Sequence, residues 1–343
     1  MLSEIYEPIS EKYKKKEGLK MNRIAAIILT AVICISLAAC AGKTEDVSVK
    51  VAGLKGPTSM GMVKLMDDAA AGKSEGKYEF SLAGSADEVT PALIQGKIDI
   101  AAVPANLASV LYNNSEGKVK LLAVNTLGVI YLVEAGGETV NSVEDLRGKT
   151  IIGSGKGSTP EYSLRHILSK NGLDPDKDVN IEWKSEHTEV VQTLAGSGEG
   201  IGLLPQPFVT VAQTQIEGLR IALDLTEEWS KVGEGSQMIT GVMAVNAGFA
   251  EKHPQAVKTF LKEYAASVDW VNANVEDAAA LTEKFDIIKA PIAKKALPYC
   301  NIVCISGDEM KAPVSGYLQV LYDEEPKAVG GKLPGDDFYI DLK

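Results

Sequence analysis

Histidine and cysteine are scarce, with 3 His and 4 Cys in 343 residues, and aromatic residues make up only 6%. A closed zinc site needs about four nitrogen or sulfur ligands, and His166, His187 and His253 are widely scattered, so no metal site is expected. Hydrolytic signatures are missing as well: there is no GxSxG elbow and no HExxH, and neither His166 nor His187 lies near a nucleophile motif. Neither GxGxxG nor GxxxxGK[ST] occurs, which removes nucleotide fingerprints and phosphoryl chemistry. No cofactor is implied. Positive charge is also in deficit, with 35 Lys+Arg against 46 Asp+Glu and a net charge of −11. The chain as a whole therefore has no electrostatic footprint for nucleic acid or anionic lipid. Repeats of solenoid period and low-complexity tracts are absent.

One long uncharged run is present, at 24–39 (IAAIILTAVICISLAA), with Arg23 directly before it and Lys20 and Lys14, Lys15 and Lys16 upstream. A basic head, an apolar stretch near the lower limit for a membrane span and a small-residue end are the marks of a signal peptide. Leu37-Ala38-Ala39-Cys40 resembles the lipobox of bacterial lipoproteins, which implies that Cys40 is lipidated and becomes the mature N-terminus. The other reading is an uncleaved anchor, and both export the rest of the chain. Met21-Asn22-Arg23 begins an ordinary signal peptide, so residues 1–20 are expected to be an upstream extension that carries no site. Residues 1–39 are then the signal peptide with that extension, and 40–45 a lipidated tether. Because 1–39 hold six basic and four acidic residues, the exported body is more acidic than the whole. Cys34 falls in the apolar run, leaving Cys300 and Cys304 for the folded part, too few for a disulfide framework. Their spacing of four would suit one helix face, and buried thiols are expected, with a local disulfide as the alternative.

The body has ordinary globular composition, 45% hydrophobic and 24% charged, and its length suits two α/β units. Short Val- and Ile-rich runs predict strands at 47–54, 78–82, 98–103, 119–125, 129–133, 150–153, 179–183, 200–204, 219–223 and 239–245. Helical spacing predicts helices at 58–71, 91–95, 107–113, 160–171, 188–195, 208–217 and 254–272. Alternation of this kind builds a parallel sheet with crossover helices. Residues 46–127 and 246–343 are expected to form one lobe and 128–245 the other, with crossing strands near 125–133 and 241–245 as the only two connections.

In open α/β sheets ligands bind beyond the carboxyl ends of strands. Leu54-Lys55-Gly56-Pro57-Thr58-Ser59 follows the first strand: Gly56 admits close backbone approach, Thr58 or Ser59 can cap, and Lys55 adds a cation. Gly153-Ser154-Gly155-Lys156-Gly157-Ser158-Thr159-Pro160 repeats the arrangement, with Thr159 as the expected N-cap and Pro160 at the first helical position. Each loop reads either as a ligand cradle or as a capped turn. Glu161 would repel an anion unless turned outward. Asn106 after the third strand offers a donor and acceptors, or a plain cap. Ser185 and Thr188 bring hydroxyls after the seventh strand, and Gln206 sits between two stiffening prolines, Pro205 and Pro207. The candidate ligand-binding set is Lys55, Gly56, Pro57, Thr58, Ser59, Asn106, Gly157, Ser158, Thr159, Ser185, Thr188 and Gln206, with no catalytic residue.

Taken in order, Leu93-Ile94-Gln95-Gly96-Lys97-Ile98-Asp99-Ile100-Ala101, Gly157-Ser158-Thr159-Pro160-Glu161-Tyr162, Asn171-Gly172-Leu173-Asp174-Pro175, His253-Pro254-Gln255-Ala256-Val257 and Asp269-Trp270 resemble the nitrate, sulfonate, bicarbonate and thiamine-precursor group of ABC-transporter substrate-binding proteins. The likeness covers about 46–285. It implies a type II periplasmic-binding-protein fold: two α/β lobes joined by a hinge, which enclose a small solute and hand it to a permease and its ATPase at the outer face of the cell membrane. Many relatives carry an aromatic-acidic pair where this chain has Pro205-Gln206, so a nitrate, sulfonate or taurine ligand does not transfer. A biosynthetic enzyme on the same fold, of the pyrimidine-precursor or menaquinone type, and a ligand-loaded partner of a sensor kinase are the alternatives.

Overall fold

All ten expected strands form, each within two residues of its expected ends, in a computed structural model that describes residues 47–233 and 235–342. Cys40, the signal peptide and the tether lie outside the described residues. The strands are β1 Ser48–Leu54, β2 Lys77–Ala83, β3 Ile100–Pro104, β4 Val119–Leu127, β5 Ile130–Ala135, β6 Thr150–Ser154, β7 Asn180–Lys184, β8 Gly200–Pro205, β9 Arg220–Asp224 and β10 Ile239–Asn246, followed by an unanticipated β11, Ile302–Ser306. The helices, in chain order, are α1 Pro57–Met60, α2 Val63–Ala70, α3 Thr90–Ile94, α4 Ala105–Asn114, α5 Thr159–Lys170, α6 His187–Ser197, α7 Phe208–Gln215, α8 Leu225–Val232, α9 Ala247–Lys252, α10 Pro254–Ala273, α11 Val275–Lys284, α12 Ala290–Ala296 and α13 Asp308–Glu324.

Two mixed sheets result, one six-stranded in the order β11-β4-β10-β3-β1-β2 and one five-stranded in the order β7-β6-β8-β5-β9. Near-continuous apolar runs such as β3, with Ile100, Ala101, Ala102 and Val103 all buried, fit strands covered on both faces by helices. β10 pairs antiparallel with both β3 and β4. It therefore belongs to the first sheet, not to the 128–245 lobe in which its sequence position put it.

The orientation of the lobes follows from these pairings. β4 runs parallel to β3 and β1, because β10 is antiparallel to both β3 and β4 and β1 is parallel to β3. Only Gly128 and Val129 separate β4 from β5, so the chain enters the second sheet where the first sheet's parallel strands end. β5 is antiparallel to β8, with Ile130 opposite Pro205, and β8 is parallel to β6, itself parallel to β7. The amino end of β5 thus lies beside the carboxyl ends of β6, β7 and β8, and these point back at the first lobe.

Two expectations on helices fail for identifiable reasons. The stretch 58–71 is two helices, because the Ser267 hydroxyl of α10 donates to Gly61 O at 2.7 Å and accepts from Leu65 N at 3.1 Å. It occupies the i to i+4 bond that would have joined them. The tail, expected to complete one lobe, also reaches the other. Tyr317 of α13 packs on Trp229 with ring centroids 5.3 Å apart, and Glu324 accepts from Ser169 at 2.6 Å. Connections between the lobes therefore exceed the two expected. Cys300 and Cys304 are free thiols, one buried and one half-buried, with Cys304 in β11 rather than on a helix face shared with Cys300. Burial pushes Cys300 up to about 12 and Cys304 to about 11, so both stay protonated and unreactive near neutral pH.

At the crossing, a Cβ on Gly128 would lie 2.2 Å from Thr226 Oγ1 and 2.8 Å from its Cγ2. Gly128→Ala is expected to cost roughly 1–3 kcal/mol through overpacking. Thr226→Ala, whose buried hydroxyl has no partner, should cost less and should recover part of the loss when combined with Gly128→Ala. Urea midpoints for the two single variants and the double variant measure the coupling.

Candidate functional site

Six strand-end loops converge where the lobes face, after β1, β2 and β3 on one side and after β6, β7 and β8 on the other. Deep in the interface lies a neutral polar node. Asn106 is fully buried, and its Nδ2 donates to Ala328 O at 2.9 Å and to Gly157 O at 3.4 Å, while its Oδ1 accepts from Thr159 Oγ1 at 3.4 Å. Thr159 Oγ1 also lies 3.5 Å from Thr240 O, and the Thr240 hydroxyl is buried without a partner. Asn106 and Thr159 are thus brought together across the lobes, and neither is a cap: α4 and α5 are preceded by Pro104 and Ser158 at their cap positions. The Ser158 hydroxyl turns back to Gly155 O at 2.7 Å, which frees the Thr159 side chain for the interface.

Beside the node, Asn125 Nδ2 donates to Thr58 O at 3.0 Å. A Cβ on Gly241 would come within 2.4 Å of Thr58 Cγ2 and 2.5 Å of Asn125 Oδ1, so only glycine lets α1 sit this close to β10. Gly56, Pro57, Thr58 and Ser59 are all buried, and the Ser59 hydroxyl has no partner. Gln206 is 3% exposed; its backbone N–H donates to Val129 O at 3.0 Å, and its side-chain Oε1 accepts from the Thr210 hydroxyl at 2.9 Å.

At the mouth a cavity of about 360 Å³ opens between the lobes. Lys55 and Thr188, of the expected residues, line it, together with Gly84, Glu186, His187 and Phe208 and with Glu283, Asp286, Ile287, Ile288, Lys289 and Ile292 from the tail. The tail residues carried no sequence motif, and only the fold reveals their part. Lys55 is in place but pairs with Asp286 at 2.6 Å. Gly157 N donates to Glu161 Oε2 at 2.6 Å, so Glu161 turns into the loop and fills the position expected for a ligand. Ser185 is exposed, and its amide is bound by Glu189 at 2.9 Å. Thr188 contacts Glu186 at 3.2 Å.

His187 begins α6, accepts or donates through Nδ1 to the buried Ser154 hydroxyl, and packs against Phe208 with ring centroids 4.9 Å apart. Desolvation lowers it to about 4, so the ring is neutral at ordinary pH. Sequence reading passed over it because a lone histidine beside a helix start carries no motif. Among the described residues no group of His, Cys, Asp and Glu is arranged to hold a metal ion, and no helix is long and apolar enough to cross a membrane.

A family model described as ABC transporter, phosphonate, periplasmic substrate-binding protein matches residues 71–293. A curated relative, the binding protein YtlA of Bacillus subtilis, is 23% identical over 262 residues, spanning 74% of this chain and 75% of its own. Among solved structures, an ABC transporter protein from Parabacteroides distasonis is similar with a TM-score of 0.72 at 24% identity, covering 87% of this chain and 100% of that one. The periplasmic aliphatic sulphonate binding protein SsuA from Escherichia coli follows at 0.66 and 16%, covering 83% and 90%. The periplasmic nitrate-binding protein NrtA from Synechocystis gives 0.57 at 14%, covering 73% and 69%. These likenesses show the shared fold, that of type II periplasmic binding proteins.

Because His187 is held neutral in the folded state, acid favours the unfolded chain: stability is full above about 6.5, falls as pH drops from there toward 4, and loses no more from this group below that. His187→Phe should flatten that segment of a Tm-against-pH curve.

Proposed function

We propose how this chain works from the premise that it belongs to the family of ABC-transporter periplasmic substrate-binding proteins that the phosphonate model describes. It is accordingly the substrate-binding component of an import system, acts outside the cytoplasm and is not an enzyme. The proposed form is a receptor held at the outer face of the cell membrane by lipid on Cys40. Its lobes close on one small solute and present it to the permease and ATPase.

The observation that supports this reading best is the contact of Asn106 with Gly157 and Thr159. These bonds run between the lobes at 3.4 Å, the long end of the hydrogen-bond range, and are readily exchanged for a solute's own groups. In this reading Lys55, Gly56, Pro57, Thr58, Ser59 and Asn106 contribute from one lobe and Gly157, Ser158, Thr159, Ser185, Thr188 and Gln206 from the other. A ligand that touches both lobes binds the closed form better than the open one, which couples occupancy to closure.

Three outcomes follow. Cys40→Ala should leave the protein unlabelled by a fatty-acid probe and release it from membranes. The solute freed from purified protein, identified by mass spectrometry and added back at saturation, should reduce the radius of gyration in scattering. Thr159→Ala should weaken its calorimetric binding about 5- to 150-fold, the cost of leaving one polar group unpaired in a desolvated site. An unchanged radius at saturation rules out the hinged receptor.

A further inference from the structure

At the mouth of the cleft much of what an oxyanion would need is already taken, while the buried hydroxyls of Ser59 and Thr240, which have no partner, lie deeper in. Free N–H groups at strand-end loops and helix starts are ready donors to phosphate or sulfonate oxygens. Here Glu88 accepts from Gly84 N at 3.1 Å and from Ser85 N at 3.0 Å, Glu161 accepts from Gly157 N and Glu189 from Ser185 N. Three cleft loops are thus neutralised by carboxylates of the chain itself. The cations are spent in the same way. Lys55 pairs with Asp286 and Lys289 with Glu283 at 3.1 Å. The described arginines, Arg147, Arg165 and Arg220, pair with Asp178, Asp176 and Glu134, and none of them lines the cavity. Lys156 is exposed on its loop and is not part of the lining either.

Besides Lys55, Lys289 and the two acids that pair with them, the cavity is faced by one further carboxylate and an apolar wall. Among the described residues no cation pairs with Glu186, whose Oε2 meets only the Thr188 hydroxyl. A Cβ on Gly84 would stand 3.0 Å from Glu186 Oε1, so this carboxylate reaches across to the opposite lobe. The neighbouring surface is Phe208, Ile287, Ile288 and Ile292 with the His187 ring. A dianion entering here would meet Glu186, Asp286 and Glu283 against two lysines already paired. A cation would gain an unpaired carboxylate and an aromatic face.

We infer that the mouth of the cleft takes a small organic cation with an apolar body, its charged head on Glu186 and its body against Phe208, in preference to a phosphonate or sulfonate. This rests on the receptor reading. The test uses three probes that share one body and differ in head charge: benzylamine, benzyl alcohol and phenylphosphonate, titrated into the whole protein by calorimetry and thermal shift.

Benzylamine should bind tightest and phenylphosphonate weakest. Glu186→Gln should weaken benzylamine about 2- to 5-fold, the worth of an ion pair on an exposed carboxylate, and leave benzyl alcohol unchanged. Phe208→Ala should weaken both. Phenylphosphonate binding that equals or exceeds benzylamine binding, or that strengthens in Glu186→Gln, overturns the cation assignment and leaves the receptor reading intact. Binding of none of the three probes also overturns it. The receptor reading is then judged separately by whether the solute released from the protein compacts it in scattering.

Discussion

The whole arrangement hangs on a connection two residues long. With only Gly128 and Val129 between β4 and β5, the end of one sheet's parallel strands is pinned to the start of the other sheet's antiparallel member. Once Ile130 stands opposite Pro205, the strand directions turn the carboxyl ends of β6, β7 and β8 toward those of β1, β2 and β3. No loop needs to migrate to make a cleft. Gly128 carries a second duty, since Thr226 fills the space a side chain would use, and β4 and the start of α8 are thereby packed at the same point.

The cleft that results has two chemically different parts. Its depth is neutral and built of groups that must find partners when buried, which is why the Asn106 amide gathers carbonyls from two further segments at once. Its mouth is charged, and there the chain's acids have bound most of what could attract an anion. An exposed pair such as Lys55 with Asp286 contributes little stability, yet it decides which charge a visitor meets. The family name refers to phosphonate, whereas the charge left over at this mouth is a carboxylate, that of Glu186. Recognition in such a scaffold is set by the loops and not by the fold they stand on.

The tail links the lobes in a way the strand crossings alone do not. After β11 adds to the edge of β4, α13 crosses to pack on α5 and α8, through Tyr317 on Trp229 and Glu324 at Ser169 and His166. The chain then returns, and carbonyls of Ala328, Val329 and Lys332 accept from Asn106, Ser109 and Asn113 of α4. Any opening of the cleft must carry α13 with one lobe or bend the chain at its ends. The tail also supplies one wall of the mouth, from Glu283 to Ile292.

Ten strands, the two-unit plan and the strand-end loops were legible in the sequence, because a strand's apolar period and a βα turn's Gly, Pro and hydroxyl residues are local properties. The same held for the resemblance to ABC-transporter receptors, carried by the order of short motifs from Leu93 to Trp270. Three things were not legible. β11, Ile302-Val303-Cys304-Ile305-Ser306, is as apolar as the other strands, but it stands alone in a helical tail where the spacing of Cys300 and Cys304 points to a helix face, and its pairing with the edge of β4 joins segments far apart in the chain. The break at Gly61 comes from a hydroxyl some 200 residues away. Glu161 was visible as a problem for an anion, but that it would seize the Gly157 amide, and that Lys55 would meet Asp286, depended on distances no spacing encodes. The sequence by itself determined which segments are strands and which loops end them; the tertiary structure alone decided what those loops face and which of their charges are left over, because pairing between charges is settled by proximity in space and not by position along the chain.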